Sequence, residues 1–177
     1  MRVIDRKIIF VQPTLPSYRV DFFERVSKSF DGKVQVFYSS AGLGALTELP
    51  IEYPWARRLG AIKPIFPGAE WQQGALTVPF SRNDIVVVSG GPRCLSNMAV
   101  LLRARLSGAK VIWWGQYWTA TTKKHRLLLR LLLMKLAHGV LFYTDDEVNA
   151  YRNAYGKKDP RPISALNNGL NLDPIAA

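Results

Sequence analysis

The chain carries one cysteine, Cys94, in 177 residues, which excludes an internal disulfide and any metal cluster built from thiolates. Histidine is nearly as scarce. His125 and His138 are the two present, neither has a second metal ligand at useful spacing, and structural or surface roles are expected for both. There is no long apolar run. The most apolar stretch, residues 127–137, is interrupted by Arg130 and Lys135 and falls short of the ~20 residues a membrane span requires. The first apolar run near the N-terminus is soon ended by Gln12 and Pro13, so it does not read as a signal peptide, and a cytoplasmic protein is expected. Acid is missing from a long segment: residues 85–144 hold nine Lys and Arg and no Asp or Glu, within an overall charge of +11. A field of one sign suits nucleic acid, an anionic membrane surface or a phosphorylated substrate, and the plain alternative is a basic surface with no dedicated partner. Catalytic signatures are absent too. No Gly-x-Gly-x-x-Gly follows the first apolar run, which argues against dinucleotide binding, and no P-loop, Ser-His-Asp order or pair of catalytic carboxylates can be assembled.

What is present is the composition of an ordinary globule, 48 % apolar and 21 % charged, at a length that suits one domain. Short β-branched or aromatic runs at residues 7–11, 34–38, 84–89, 110–115 and 139–144 alternate with helical patterns. Phe22, Phe23, Val26 and Phe30 recur at helical spacing, as do Leu95, Met98, Ala99, Leu102 and Leu106. Runs such as Val86-Val87-Val88 are apolar throughout, so both faces of those strands are buried and the sheet is parallel. The expected fold is α/β: a Rossmann-like, doubly wound, mainly parallel sheet with helices on both faces. A leucine-rich helix is expected over residues 122–137. A helix wedged between sheet and neighbours with a narrow wet stripe of Lys123, Arg126 and Arg130 is the favoured reading, and a basic amphipathic face on lipid headgroups is the alternative. Between residues 41 and 82 prolines and glycines break the pattern, leaving short strands near residues 61–66, a hairpin around Gly74, and Trp55 and Trp71 either packed or facing a ligand.

In a doubly wound sheet, ligands bind beyond the carboxyl ends of the strands. The loops expected there are Gln12 to Arg19, Gly90-Gly91-Pro92-Arg93, Gln116-Tyr117-Trp118, Thr144 to Glu147, and Asn167-Asn168-Gly169. Gly90 and Gly91 let the backbone approach a ligand, and Arg93 adds positive charge, so this turn is either an anion site or an ordinary helix start. Tyr18 and Arg19 either hold a sugar or phosphate or begin the next helix. Thr144 and Glu147 have capping-box spacing, and the acids Asp145 and Asp146 beside them exclude that helix start as a phosphate site.

Taken together, residues 7–23 (KIIFVQPTLPSYRVDFF), 110–116 (KVIWWGQ), 140–147 (VLFYTDDE) and Asn168-Gly169-Leu170-Asn171 resemble the retaining GT-B glycosyltransferases, in particular glycosyltransferase family 4-like enzymes. The resemblance covers nearly the whole chain. It implies an N-terminal, acceptor-side domain over residues 1–170 and the start of an interdomain linker at 171–177. The donor domain would follow, so the chain alone is expected to be inactive. It further implies transfer of a hexose from a nucleotide sugar, the only small molecule required besides the acceptor and no separate cofactor, to a lipid-linked or other glycan acceptor in cell-surface polysaccharide synthesis. Acceptor or donor-sugar contacts would come from Tyr18, Arg19, Gly90, Gly91, Arg93, Gln116, Tyr117 and Thr144, and no metal is called for. Many relatives have a histidine where this chain has Gln116. Glutamine hydrogen-bonds a hydroxyl but takes up no proton near neutrality, which suits a mechanism in which the departing phosphate receives the acceptor proton. The basic stretch would then rest peripherally on the inner membrane face. Alternatives are an acceptor subunit complementing a separate donor-domain chain, or a basic nucleic-acid-binding module, against which the lack of a recognition helix, RNP strand or zinc finger weighs.

Overall fold

The computed structural model describes residues 6–39, 52–118, 124–155 and 159–167, with the side chains of 124–126 outside that description. Nine strands are described: β1 (Ile8–Val11), β2 (Val34–Tyr38), β3 (Ala56–Arg58), β4 (Ile62–Phe66), β5 (Ala69–Gln72), β6 (Ile85–Ser89), β7 (Lys110–Trp114), β8 (Gly139–Phe142) and β9 (Ile163–Ala165). Four helices accompany them: α1 (Val20–Ser29), α2 (Leu95–Leu106), α3 (Lys124–Met134) and α4 (Asp145–Tyr155). Seven strands form one sheet in the order β3-β2-β1-β6-β7-β8-β9, and every neighbouring pair is parallel. The chain leaves β1 toward β2 and β3, then restarts beside β1 with β6. The winding direction therefore reverses between β1 and β6, which defines the switch point of a Rossmann-like doubly wound fold.

Successive side chains of a strand point to opposite faces, and the two cores follow this period of two. Ile9, Val11, Val86, Val88, Val111 and Trp113 pack against α2, α3 and α4. Ile8, Phe10, Val34, Val36, Val87 and Trp114 pack against α1. Adjacent tryptophans thus serve different layers. Trp114 meets Phe10 at 5.9 Å and Phe23 at 6.1 Å between ring centroids, both edge to face.

Several expectations need correction. In α2 the residues buried are Ser96, Asn97, Val100, Leu101 and Ala104, on the side opposite the expected leucine-methionine stripe, and Leu102 and Leu106 are exposed. Small and polar residues allow the helix to sit close to β5 and β6. The Ser96 hydroxyl accepts from the Gln72 amide at 3.0 Å, and the Asn97 side chain donates to the Ser89 carbonyl at 3.3 Å. The wedged reading of the leucine-rich helix also fails, because α3 leaves Leu128 at 59 %, Leu129 at 48 % and Leu132 at 52 % exposure. The hairpin turns at Gly68 (φ +87°), between β4 and β5, while Gly74 (φ +80°) opens a single 3-10 turn instead. Trp55 is buried and Trp71 half-buried. His138 has the expected structural role: Nδ1 accepts from the Val111 amide at 3.0 Å, and burial lowers the pKa of the ring. The side chain of His125 and the segment 168–171 lie outside the described residues.

An ionic knot closes the α4–β9 connection. Arg161 binds both carboxylate oxygens of Asp159, with its Nε 2.8 Å from Oδ1 and its Nη2 2.6 Å from Oδ2. It also donates to the Met134 and Ala137 carbonyls at the end of α3. Hydrogen bonds from Arg161 hold the Asp159 carboxyl well below the usual range. Burial, then the hydrogen bond to Asp159, pushes the Tyr151 phenol up to about 12. Beside this knot, α3 and α4 enclose a groove of about 780 Å³ lined mainly by Leu128, Leu131, Leu132, Tyr151 and Tyr155.

Candidate functional site

Because the seven strands are parallel, the loops after β1, β6, β7, β8 and β9 emerge along a single carboxyl rim. Backbone bonds tie the exits of β6, β7, β8 and β9 each to the next. The Gly90 amide donates to the Trp114 carbonyl at 2.7 Å, and the Gly115 amide donates to the Leu141 carbonyl at 3.0 Å. Side chains complete the seam. Glu147 accepts from the Tyr117 amide at 2.8 Å and the Tyr143 amide at 3.0 Å, and its own amide donates to Thr144 Oγ1 at 3.3 Å. Thr144 and Glu147 therefore form the expected cap, and Glu147 additionally staples the β7 exit to the β8 exit. Asn167, in the left-handed region at φ 50°, accepts from the Asp145 amide at 3.0 Å and attaches the end of β9 to the start of α4.

At the switch point two features face each other. On the β6 side, Gly90 lies against Trp113: a Cβ there would fall 2.2 Å from the indole Cε2 and Nε1, whereas a Cβ on Gly91 would meet nothing within 4 Å. Gly90 is thus dictated by packing, and Gly91 is the glycine with open space for a ligand. Arg93 is exposed and turns to Glu70 of β5 at 3.4 Å, over a shallow hollow of about 430 Å³ beside the hairpin tip. On the β1 side, Gln12 is buried. Its carbonyl accepts from Gln72 Nε2 at 2.8 Å, which locks the first rim loop to β5.

The loop from Gln12 leads through a 3-10 turn, Ser17–Arg19, into α1. Arg19 is half-buried, and its guanidinium lies 4.8 Å from the Trp114 ring centroid, 5.6 Å from Tyr143 and 5.7 Å from Tyr18. Such cation–π contacts contribute roughly 0.5–2 kcal/mol each. Gln12 Oε1 accepts from Arg19 Nη1 at 3.4 Å. Tyr18 is 54 % exposed.

On the β7 loop, Gln116 and Trp118 are exposed. Tyr117 points the other way: its ring is buried against Phe142, Tyr151 and Tyr155, and burial raises its pKa. Its carbonyl accepts from Arg130 at 3.0 Å. The structure therefore gathers Tyr18, Arg19, Gln116 and Thr144 around the exits of β1, β7 and β8, places Gly90 and Gly91 at the switch point, turns Arg93 toward the hairpin and sends the Tyr117 ring into the core. Sequence reasoning placed Gln12 in a candidate loop without singling it out, and overlooked Trp114 and Tyr143 as parts of the site. The period-two alternation at Trp113-Trp114 was the available signal for Trp114.

Among the described residues, no group of three or more His, Cys, Asp or Glu could hold a metal ion, and no helix is long and apolar enough to cross a membrane. No family model matches the chain, and no curated protein matches it. Among solved structures, the chain is similar to a response regulator from Colwellia psychrerythraea, with 10 % identity, a TM-score of 0.39, and coverage of 87 % of this chain and 98 % of that one.

Proposed function

We propose that this chain is the acceptor-side half of a retaining GT-B glycosyltransferase, one wall of a cleft in which a hexose passes from a nucleotide sugar to a glycan or lipid-linked acceptor. The observation that carries this reading is the single carboxyl rim: the exits of β1, β6, β7, β8 and β9 lie along one edge, the last four are stapled by backbone bonds and Glu147, and the switch point falls between β1 and β6. A cleft wall of this kind suits an acceptor, because Tyr18, Gln116 and Trp118 offer exposed aromatic and amide groups for sugar faces and hydroxyls. Gln116 takes up no proton near neutrality, so it does not serve as a general base. Gln116 orients a hydroxyl, and the acceptor proton leaves with the departing phosphate of the donor. Nucleotide and sugar contacts belong to a second domain, so this half binds and orients but does not turn over.

A peripheral position on the inner membrane face fits the same reading. The outward sides of α2 and α3 carry Leu102, Leu106, Leu128, Leu129 and Leu132 exposed, within a segment that has cations and no acid. Leucines flanked by cations bind anionic interfaces by combining apolar burial with attraction to the headgroups.

The test is titration of the labelled chain with oligosaccharides and polyprenyl-phosphate-linked sugars, followed by NMR. Shifts should concentrate at Tyr18, Gln116 and Trp118, and no nucleotide sugar should be consumed. Turnover of a nucleotide sugar by this chain alone would overturn the assignment, as would salt-sensitive RNA binding with no response to any glycan.

A further inference from the structure

We propose that Arg19 and Gln12 form an oxyanion subsite at the carboxyl end of β1, which takes a phosphate or carboxylate group of the molecule bound along the rim. The inference rests on the reading of that rim as an acceptor wall and adds that the acceptor is anionic.

The Arg19 guanidinium lies within cation–π distance of Trp114, Tyr143 and Tyr18, but π density supplies no lone-pair acceptor for its N–H donors. The one protein acceptor they meet among the described residues is Gln12 Oε1, at 3.4 Å. Arg103 and Arg161 each place two or more N–H donors on protein acceptors, and Arg130 places one. Arg103 donates to the Leu76 and Val78 carbonyls, Arg130 to the Tyr117 carbonyl, and Arg161 to Asp159 and the end of α3. None of the ion pairs Asp21–Arg25, Glu70–Arg93 and Asp159–Arg161 reaches Arg19. The nearby acid Glu147 already accepts two backbone amides.

Gln12 supplies the second half of the site. Its side chain is 2 % exposed, and Nε2 has no protein partner. A buried donor left unpaired is disfavoured and rare in folded proteins. Oε1 is turned to Arg19, so the amide lies beside the guanidinium and its NH2 is held close to it. The pair therefore presents donors from both groups, and its only acceptor is already in use. Two adjacent donor groups with one net positive charge favour an oxyanion over a cation, and the planar guanidinium suits bidentate contact with phosphate or carboxylate. The exposed ring of Tyr18 stands beside it, ready to stack on whatever carries the anion.

The experiment is an NMR titration of the full chain with inorganic phosphate and, separately, acetate, following the Arg19 Nε–H and Gln12 side-chain amide signals. Saturable shifts of both signals are expected, and Arg19→Gln should weaken binding about tenfold or more. Arg19→Lys, which keeps the charge and loses the fork, should fall between. Gln12→Leu checks the second donor should Arg19→Gln disturb the Trp114 stack. Tighter phosphate than acetate binding identifies a phosphorylated acceptor, and the reverse identifies an acidic sugar. Unchanged affinity in Arg19→Gln and Gln12→Leu, or no response of the Gln12 amide to either anion, would refute the subsite. Failure of the sugar-transfer reading looks different: the anions still bind at Arg19, but no glycan or lipid-linked acceptor shifts the rim.

Discussion

Replacing Gly90 with alanine should destabilise the protein far more than the same change one residue later. The added Cβ would lie 2.2 Å from Trp113 Cε2 and Nε1 and 2.7 Å from Cζ2, so a separation acceptable to carbon atoms needs a shift of more than an ångström. The indole has nowhere to go. Trp113 is fully buried, in the middle of the layer beneath α2 and α3. Nor can the backbone of Gly90 retreat freely, since its amide is hydrogen-bonded to the Trp114 carbonyl at 2.7 Å and its own carbonyl already sits close under Gly115. Forced overpacking of this type costs about 1–3 kcal/mol, and the rigid neighbours here put Gly90→Ala near the upper end. For a chain of this length that corresponds to a fall of about 6–10 °C in Tm. Gly91→Ala meets nothing within 4 Å and should stay within about 0.5 kcal/mol of the parent. Urea unfolding followed by tryptophan fluorescence measures both, with a change in midpoint at constant slope as the signature of altered native stability. Equal midpoints for the two variants would show that the indole does not lie under Gly90, and would remove the physical ground for treating Gly91 as the ligand-facing glycine of the pair.

Arg161→Ala should cost about 3 kcal/mol in the same urea assay, because it strands the largely buried Asp159 carboxylate and frees two carbonyls at the end of α3. The knot also sets a pH dependence. Tyr151 holds its proton to about pH 12 in the folded state, against about 10 when unfolded; its contribution is complete below about pH 10 and is lost between there and 12. Asp159 is shifted the other way, so its contribution is complete above about pH 4 and disappears as the pH falls further. Unfolding midpoints across pH should show the alkaline decline in the parent and a shallower one in Tyr151→Phe. For the proposed membrane face, Leu128→Ser with Leu132→Ser should weaken binding to anionic vesicles about tenfold without changing the fold, as read by co-sedimentation and circular dichroism; equal binding of parent to neutral and anionic vesicles would count against that face.

The strands were legible wherever burial on both sides made them continuously apolar. β1 and the central β6 and β7 lie within the expected spans, and they fix the sheet around which everything else is arranged. β3 was not legible. It is an edge strand that pairs with β2 alone and presents Arg57 and Arg58 outward, so neither apolar continuity nor alternation marks it. β9 is three residues long, too short for a period to register. Helices were visible as periods, but the buried side of α2 was not, because three of the five residues it buries, Ser96, Asn97 and Ala104, are small or polar and serve close approach and hydrogen bonding. Hydrophobic periodicity assumes that leucines point inward. Here two helices point them outward, which is why their surface chemistry becomes visible only in three dimensions.

The site divides along the same line. Local chemistry was readable from local sequence: the Thr144–Glu147 cap needs residues three apart, and it formed as spaced. Arg19 owes its place to Trp114 and Tyr143, far along the chain at the ends of β7 and β8, and Gln12 is buried by a hairpin whose Gln72 reaches back to its carbonyl. These contacts follow from strand order, because only the placement of β1 within two strands of β7 brings the first loop over the second tryptophan. The place of the Arg19 guanidinium among three rings is thus a product of topology. The proposed subsite rests on that placement: π density holds the cation, Gln12 is the one acceptor its N–H donors meet among the described residues, and an oxyanion would complete them.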